Sequence, residues 1–265
     1  MLSSLDDLFW SEINADTLLP AAFVMVLFAL LLRRWIGKKD DRVRNLPFQT
    51  ITVALWILEI VKQVRDLSSG TYSFWSLPLH FSSLGLYLFP FAHFGKGRAV
   101  PFFRSAAGTI TAMSAIGTFL FPMTIFGNSA AAYFRDFSAF HTITYHYALI
   151  LYAFLFLALR IEAPERKKDF KALFLTLAAF CLVSAPAANL LGVNFTSFLS
   201  CDFPPVEAMR NFLRTTLGTG IGQTLYVLFM VAAIYVHGVL TLSLRTAADG
   251  LFVKAAVKKA ARKAA

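Results

Sequence analysis

The stretch LLPAAFVMVLFALLLRRWIGKKDDRVR, residues 18–44, decides the fold. Its apolar part, Leu18 to Ile36, is long enough as a helix to cross a hydrocarbon core about 30 Å thick. The cations Arg33, Arg34, Lys38, Lys39, Arg42 and Arg44 then gather at its end. Six further apolar runs follow: Phe48 to Val64, Leu77 to Phe94, Val100 to Phe126, Phe137 to Leu159, Ala172 to Leu191 and Gly220 to Leu244.

Twenty of the 25 Lys and Arg residues fall in, or at the edges of, alternate gaps between the runs. Lys96, Arg98 and Arg104 follow the third run, and Arg160, Arg166, Lys167, Lys168 and Lys171 follow the fifth. Arg245, Lys254, Lys258, Lys259, Arg262 and Lys263 follow the seventh. Because short loops rich in Lys and Arg stay cytoplasmic, the pattern predicts an N-terminus outside and a C-terminus inside. The fold class expected is all-α: a polytopic seven-transmembrane-helix bundle in a bacterial cytoplasmic membrane.

Composition agrees. Hydrophobic residues make up 57% of the 265, with 28 Phe, and the mean hydropathy is +0.63, values unsuited to a water-facing surface. The net charge of +10 sits beside the apolar runs rather than in a basic stripe interleaved with aromatics, so nucleic acid is not expected as a partner. Three segments result: residues 1–17, external and amphipathic; 18–244, the membrane domain; and 245–265, a basic cytoplasmic tail set against anionic lipid. The first segment has four acids, Asp6, Asp7, Glu12 and Asp16, and no cation, so it does not read as a signal peptide. Cys181 and Cys201 lie at different depths and are not expected to form a disulfide. With no CxxC, HExxH, GxGxxG or Walker pattern, neither metal nor cofactor is expected.

Polar residues inside apolar spans carry the functional signal. Glu59 and Lys62 lie one turn apart near the outer end of the second run, placed to pair. Pro78, His80, Ser82 and Ser83 fall in what reads as the first two turns of the third helix, at the same level. His141, Tyr145 and His146 occupy the outer third of the fifth run, and Asn189 and Asn194 follow the sixth. Each has a plain structural alternative. Glu59 with Lys62 reads equally as an interhelical ion pair, and His80 with Ser83 as a packed histidine with a satisfied neighbour. His141 could sit at headgroup level, and Asn189 and Asn194 could cap the sixth helix. His93 and His237 read as solvated or interfacial and stay outside the expected site. The segment from Val193 to Thr219, rich in Phe, reads as a lid folded onto the bundle mouth.

At Leu77-Pro78-Leu79-His80, His141, Tyr145-His146 and Asn189-Leu-Leu-Gly192-Val-Asn194-Phe195 the chain resembles the bacterial YwaF-like family of seven-helix membrane proteins. That family is related to the eukaryotic transmembrane protein one-six-four. The resemblance runs from Phe48 to about Leu244. It implies a lipid acyltransferase that moves a fatty acyl chain between glycerophospholipids through a membrane-embedded cysteine. Many relatives place that cysteine two residues after the LPLH histidine, where this chain has Ser82. A serine hydroxyl needs a neighbouring base, where a thiolate does not.

Two functions are therefore expected in parallel. In the first, Ser82 or Ser83 attacks a phospholipid ester, His146 or His80 is the base, and Asn189 donates to the oxyanion. Glu59, Lys62, Ser83, His141, Asn189 and Asn194 then bind substrate. In the second, the same pocket holds a lipid or amphiphile without chemistry, as in a receptor, transporter subunit or assembly factor.

Overall fold

The computed structural model describes residues 11–127, 129–163 and 165–264, and among these it is helical with no strand. In chain order the helices are α1 (Glu12–Ile36), α2 (Asp41–Ser68), α3 (Leu84–His93), α4 (Val100–Leu120), α5 (Pro122–Phe126), α6 (Ser129–Ala132), α7 (Phe137–Leu159), α8 (Arg166–Leu191), α9 (Pro204–Leu217) and α10 (Thr219–Ala264). Four of them, α1, α7, α8 and α10, contain stretches long and apolar enough to cross a membrane. The amphipathic segment expected at the N-terminus lies mostly outside the described residues.

The boundaries follow from local chemistry. Ser11 and Asp40 accept from Asn14 N and Val43 N to start α1 and α2, and Asp136 accepts from Ala139 N to start α7. Gly192, at φ 65°, closes α8 in the left-handed conformation that glycine adopts without strain.

Helix α4 is the central post. It packs against α3, α7, α8 and α10, and its buried residues Ser105, Ala106, Ala107, Gly108, Thr109 and Thr111 are small enough to let those neighbours approach. Gly108 marks the closest approach, because a Cβ placed there would lie 2.5 Å from the Phe156 ring. That ring is itself hemmed in by Phe48, Tyr152 and the Arg245 guanidinium. The outward faces are apolar instead: Phe23, Leu30 and Val24 on α1 and Leu240 and Val236 on α10 are more than two-fifths exposed, as suits side chains that meet acyl chains rather than water.

Two expectations need correction. The run from Leu77 to Phe94 is not one helix. Leu77 takes φ −61°, ψ 136°, the extended geometry that a following proline imposes, and His80 is extended too, so the α-helix starts only at Leu84. The run from Val100 to Phe126 breaks at Phe121, again before a proline, Pro122. The presumed lid is partly helical: α9 has Pro204 at its first turn and lies along α10, while Phe195 and Phe198 are fully buried in the bundle. Glu207 ties its start down, accepting from Cys201 N at 3.0 Å and from Arg210 Nε at 2.8 Å. The Arg210 hydrogen bond holds the Glu207 carboxyl down at about 2.

His93 is a further correction. It is 4% exposed rather than solvated, with Nδ1 against Asn45 Oδ1 and Nε2 against Tyr152 Oη, both at 2.6 Å. Its carbonyl accepts from Asn45 Nδ2 and Gln49 Nε2. This closed network joins α2, α3 and α7 with every polar group paired, which makes it a structural clamp.

Gly108→Ala is expected to destabilise the bundle by about 1–3 kcal/mol, since the Phe156 ring has nowhere to move. A thermal melt in detergent against Gly117→Ala, which meets open space, checks this. Equal melting temperatures for the two variants would refute it.

Candidate functional site

An extended segment inside an apolar bundle leaves peptide groups without helical partners, and each unpaired group there is costly. Residues Trp75 to Ser82 meet this with side chains from five neighbouring elements and one of their own. Gln63 Nε2 of α2 donates to Ser76 O at 2.6 Å, and Ser184 Oγ of α8 donates to Leu79 O at 3.0 Å. Tyr145 Oη of α7 reaches Ser82 O at 3.4 Å, and Phe81 N donates to Thr196 Oγ1 at 2.8 Å. Tyr87 Oη of α3 donates to Pro78 O at 3.0 Å, and within the stretch His80 Nε2 lies 3.3 Å from Trp75 O. The break is thus built in, and it swings His80, Ser82 and Ser83 toward the middle of the bundle.

There they line a cavity of about 470 Å³ together with Glu59, Lys62, His141, Tyr145, His146 and Asn194. Eight of the nine residues expected at the site therefore share one cavity. At one side stands a charged cluster. Lys62 Nζ lies 2.7 Å from Glu59 Oε1, Gln63 Nε2 donates to the same oxygen at 2.7 Å, and His141 Nε2 lies 3.2 Å from Oε2. Glu59 is 7% exposed, so both carboxylate oxygens are satisfied by protein groups. His141 stacks on Tyr145 and belongs to this cluster.

His80 is held edge-on between Trp75 and Phe195, with ring centroids 4.5 and 5.2 Å away. His146 places Nδ1 2.8 Å from Thr142 O, so Nδ1 carries the proton and Nε2 is left as an acceptor. Ser82 Oγ makes no hydrogen bond among the described residues, so a serine–histidine pair is not assembled. Asn194 faces the cavity, and its Oδ1 accepts from Leu199 N and Ser200 N, fixing the loop.

Asn189 is the exception. It is exposed and donates to Ala185 O and Phe198 O, bracing the end of α8, and it does not line the cavity. His237 is misplaced in the opposite sense: it lines the cavity with Ser114 and Thr196 rather than sitting at an interface. Thr196 directly follows the Asn189–Phe195 island, but nothing in its residue type marked it. His237 had a faint signal in Thr241 and Arg245, spaced four residues apart on one helix face.

Beside the cavity, on the face of α2 and α3, runs an apolar groove of about 290 Å³ bordered by Trp56, Ile60, Val64, Leu67, Pro78 and Tyr87. Glu59 borders both spaces. The arrangement offers cation, carboxylate, hydroxyl and imidazole groups on one side and hydrocarbon on the other. Among the described residues no group of three or more His, Cys, Asp and Glu has the geometry to hold a metal.

Glu59→Gln should destabilise the protein by about 1–3 kcal/mol, because Lys62 and His141 lose a charged acceptor. Adding Lys62→Met should recover part of the loss, since the stranded cation is then removed. Melting temperatures of the two variants measure this, and a double variant no more stable than Glu59→Gln would deny the coupling.

The extended segment with His80, the Tyr145–His146 pair and the loop after α8 all meet at this cavity. The TMEM164 family model matches residues 9–241. No curated protein and no solved structure matches the chain. The chain belongs to the TMEM164 family of membrane proteins.

Proposed function

We propose that this chain binds a lipid or similar amphiphile, with the polar part in the cavity and an acyl chain along the groove beside Glu59. The observation that carries this is that one residue, Glu59, borders both a charged, hydroxyl-lined space and an apolar groove. Lys62 offers a cation to a phosphate or carboxylate. His80, Ser82, Ser83 and His146 offer donors and acceptors to the glycerol and ester region. The protein works in a bacterial cytoplasmic membrane, seven apolar runs across it, N-terminus outside and basic tail inside, as the alternation of Lys and Arg supports.

Acyl transfer is the second reading, favoured by the Nδ1-protonated tautomer of His146 and by the chemistry that the family resemblance implies. In it Ser82 Oγ attacks the ester carbonyl, its proton passes to His146 Nε2, and the lyso-lipid leaves as an alcohol carrying that proton. The unpaired Ser82 hydroxyl, and the placing of Asn189 away from the cavity, weigh toward binding without chemistry.

Native lipid mass spectrometry of the purified protein separates the two. Binding predicts a retained, non-covalent lipid whose loss on His80→Ala or His146→Ala reflects about 1–3 kcal/mol each, with Ser82→Ala nearly silent. Catalysis predicts a covalent acyl adduct on Ser82 and enhanced acyl release from a labelled phospholipid in Ser82→Cys, the thiol being the better nucleophile. Full lipid retention by both histidine variants would remove the site.

A further inference from the structure

Helix α10 presents His237, Thr241 and Arg245 at successive turns of one face, and this face packs against α4. The two helices run antiparallel, in a register fixed at both ends of the seam. At one end His237 and Ser114 share the cavity wall. At the other, Arg245 Nη1 donates to Thr109 Oγ1 at 3.0 Å, and Nη2 lies 4.0 Å from Asp169 Oδ2.

Along this seam lie Ser114 Oγ, His237 Nε2, Thr241 Oγ1 and Arg245 Nη2, four of the seven buried side-chain polar atoms that have no hydrogen-bond partner among the described residues. Thr241 is 1% exposed, Arg245 5% and Ser114 8%. Buried polar groups are almost always paired, so four in a row on two facing helices call for a shared partner. Thr241 is the telling case. Thr109, Thr111, Thr118, Ser243 and Thr246 all turn their hydroxyls back to the carbonyl four residues earlier, whereas Thr241 leaves that acceptor unused.

The seam is closed on the α8 side, where a Cβ on Gly238 would lie 3.0 Å from Leu173. It is lined by buried donors and acceptors, the setting in which buried water is held. We propose that the α4–α10 seam binds a file of water that connects the cavity to the Arg245–Asp169 pair. From His237 to Arg245 the helix rises about 12 Å, room for about four waters at hydrogen-bond spacing. The file solvates the Arg245 guanidinium and gives the cavity a source of water from within the bundle. It rests on the orphaned atoms and not on what occupies the cavity.

Radiolytic hydroxyl labelling tests it, because radicals formed from bound water attack side chains that no bulky reagent can reach. In the full-length protein in lipid nanodiscs, Thr241→Cys should oxidise at least tenfold faster than Leu240→Cys, as read by peptide mass spectrometry. Leu240 is the control because it is one residue away, 59% exposed and facing lipid. Equal rates at the two positions overturn the proposal. A near-isosteric variant supplies a second measurement that needs no label. With water in place, Thr241→Val removes an anchoring hydrogen bond and lowers the melting temperature by a few degrees. In a dry seam the same change relieves an unpaired hydroxyl, and a raised melting temperature likewise overturns the proposal.

Discussion

Peptide groups freed where a chain unwinds inside an apolar bundle have to find partners, and that requirement organises this protein. Pro78 prevents the helix from continuing back through Leu77, leaving the stretch up to Ser83 extended or in a tight 3-10 turn. Gln63, Tyr145, Ser184 and Thr196 supply the missing hydrogen bonds from α2, α7, α8 and the loop that follows α8. Of those elements, α2, α7 and the loop after α8 also form the wall of the cavity. A helix that ran unbroken from Leu77 would satisfy its own backbone and would need none of these side chains. The polar residues that look like candidates for chemistry are therefore, in part, the supports of the break.

The charges are arranged on the same principle. Glu59 takes Lys62, Gln63 and His141 as partners, so a buried carboxylate keeps three donors and the cavity gains a fixed polar corner. On the far side Arg245 and Asp169 are buried together, with Ser105 donating to the carboxylate and Phe156 covering the guanidinium. Between them the small residues of α4 let α10 come close enough to bring both polar groups into one interior. Stability alone gives little reason to keep such groups, because apolar replacements often hold a bundle at least as well. Glu59, Lys62 and His141 line the cavity, and that placement is what ties their cluster to the proposed binding.

Much of this was legible in the sequence. The runs that became α1, α7, α8 and α10 are nearly uninterrupted apolar segments, and a pattern of that length has few other solutions. The Glu59–Lys62 pair followed from helical spacing, and the depth argument brought His80, Ser82, His141 and His146 to one level. The break at Leu77–Ser83 was hidden because Leu77, Leu79 and Phe81 join it to the apolar run that continues into α3, so the whole run reads as one helix. Pro78 was the sole mark of it. Asn189 and Asn194 belong to one island, yet only Asn194 faces the cavity, since the left-handed turn at Gly192 sends the two in different directions. His93 and His237 were misplaced because depth along a run says nothing about which side of the helix faces inward.

The most direct measurement is a high-resolution electron cryomicroscopy map of the protein in nanodiscs of native lipid. The account predicts an extended Leu77–His80 segment and density for an amphiphile, its polar part within reach of Lys62, His80 and Ser82 and its tail along Trp56 and Val64. A continuous helix through Leu77, or a cavity without ligand density in a map that clearly resolves the Glu59–Lys62 pair, would contradict it.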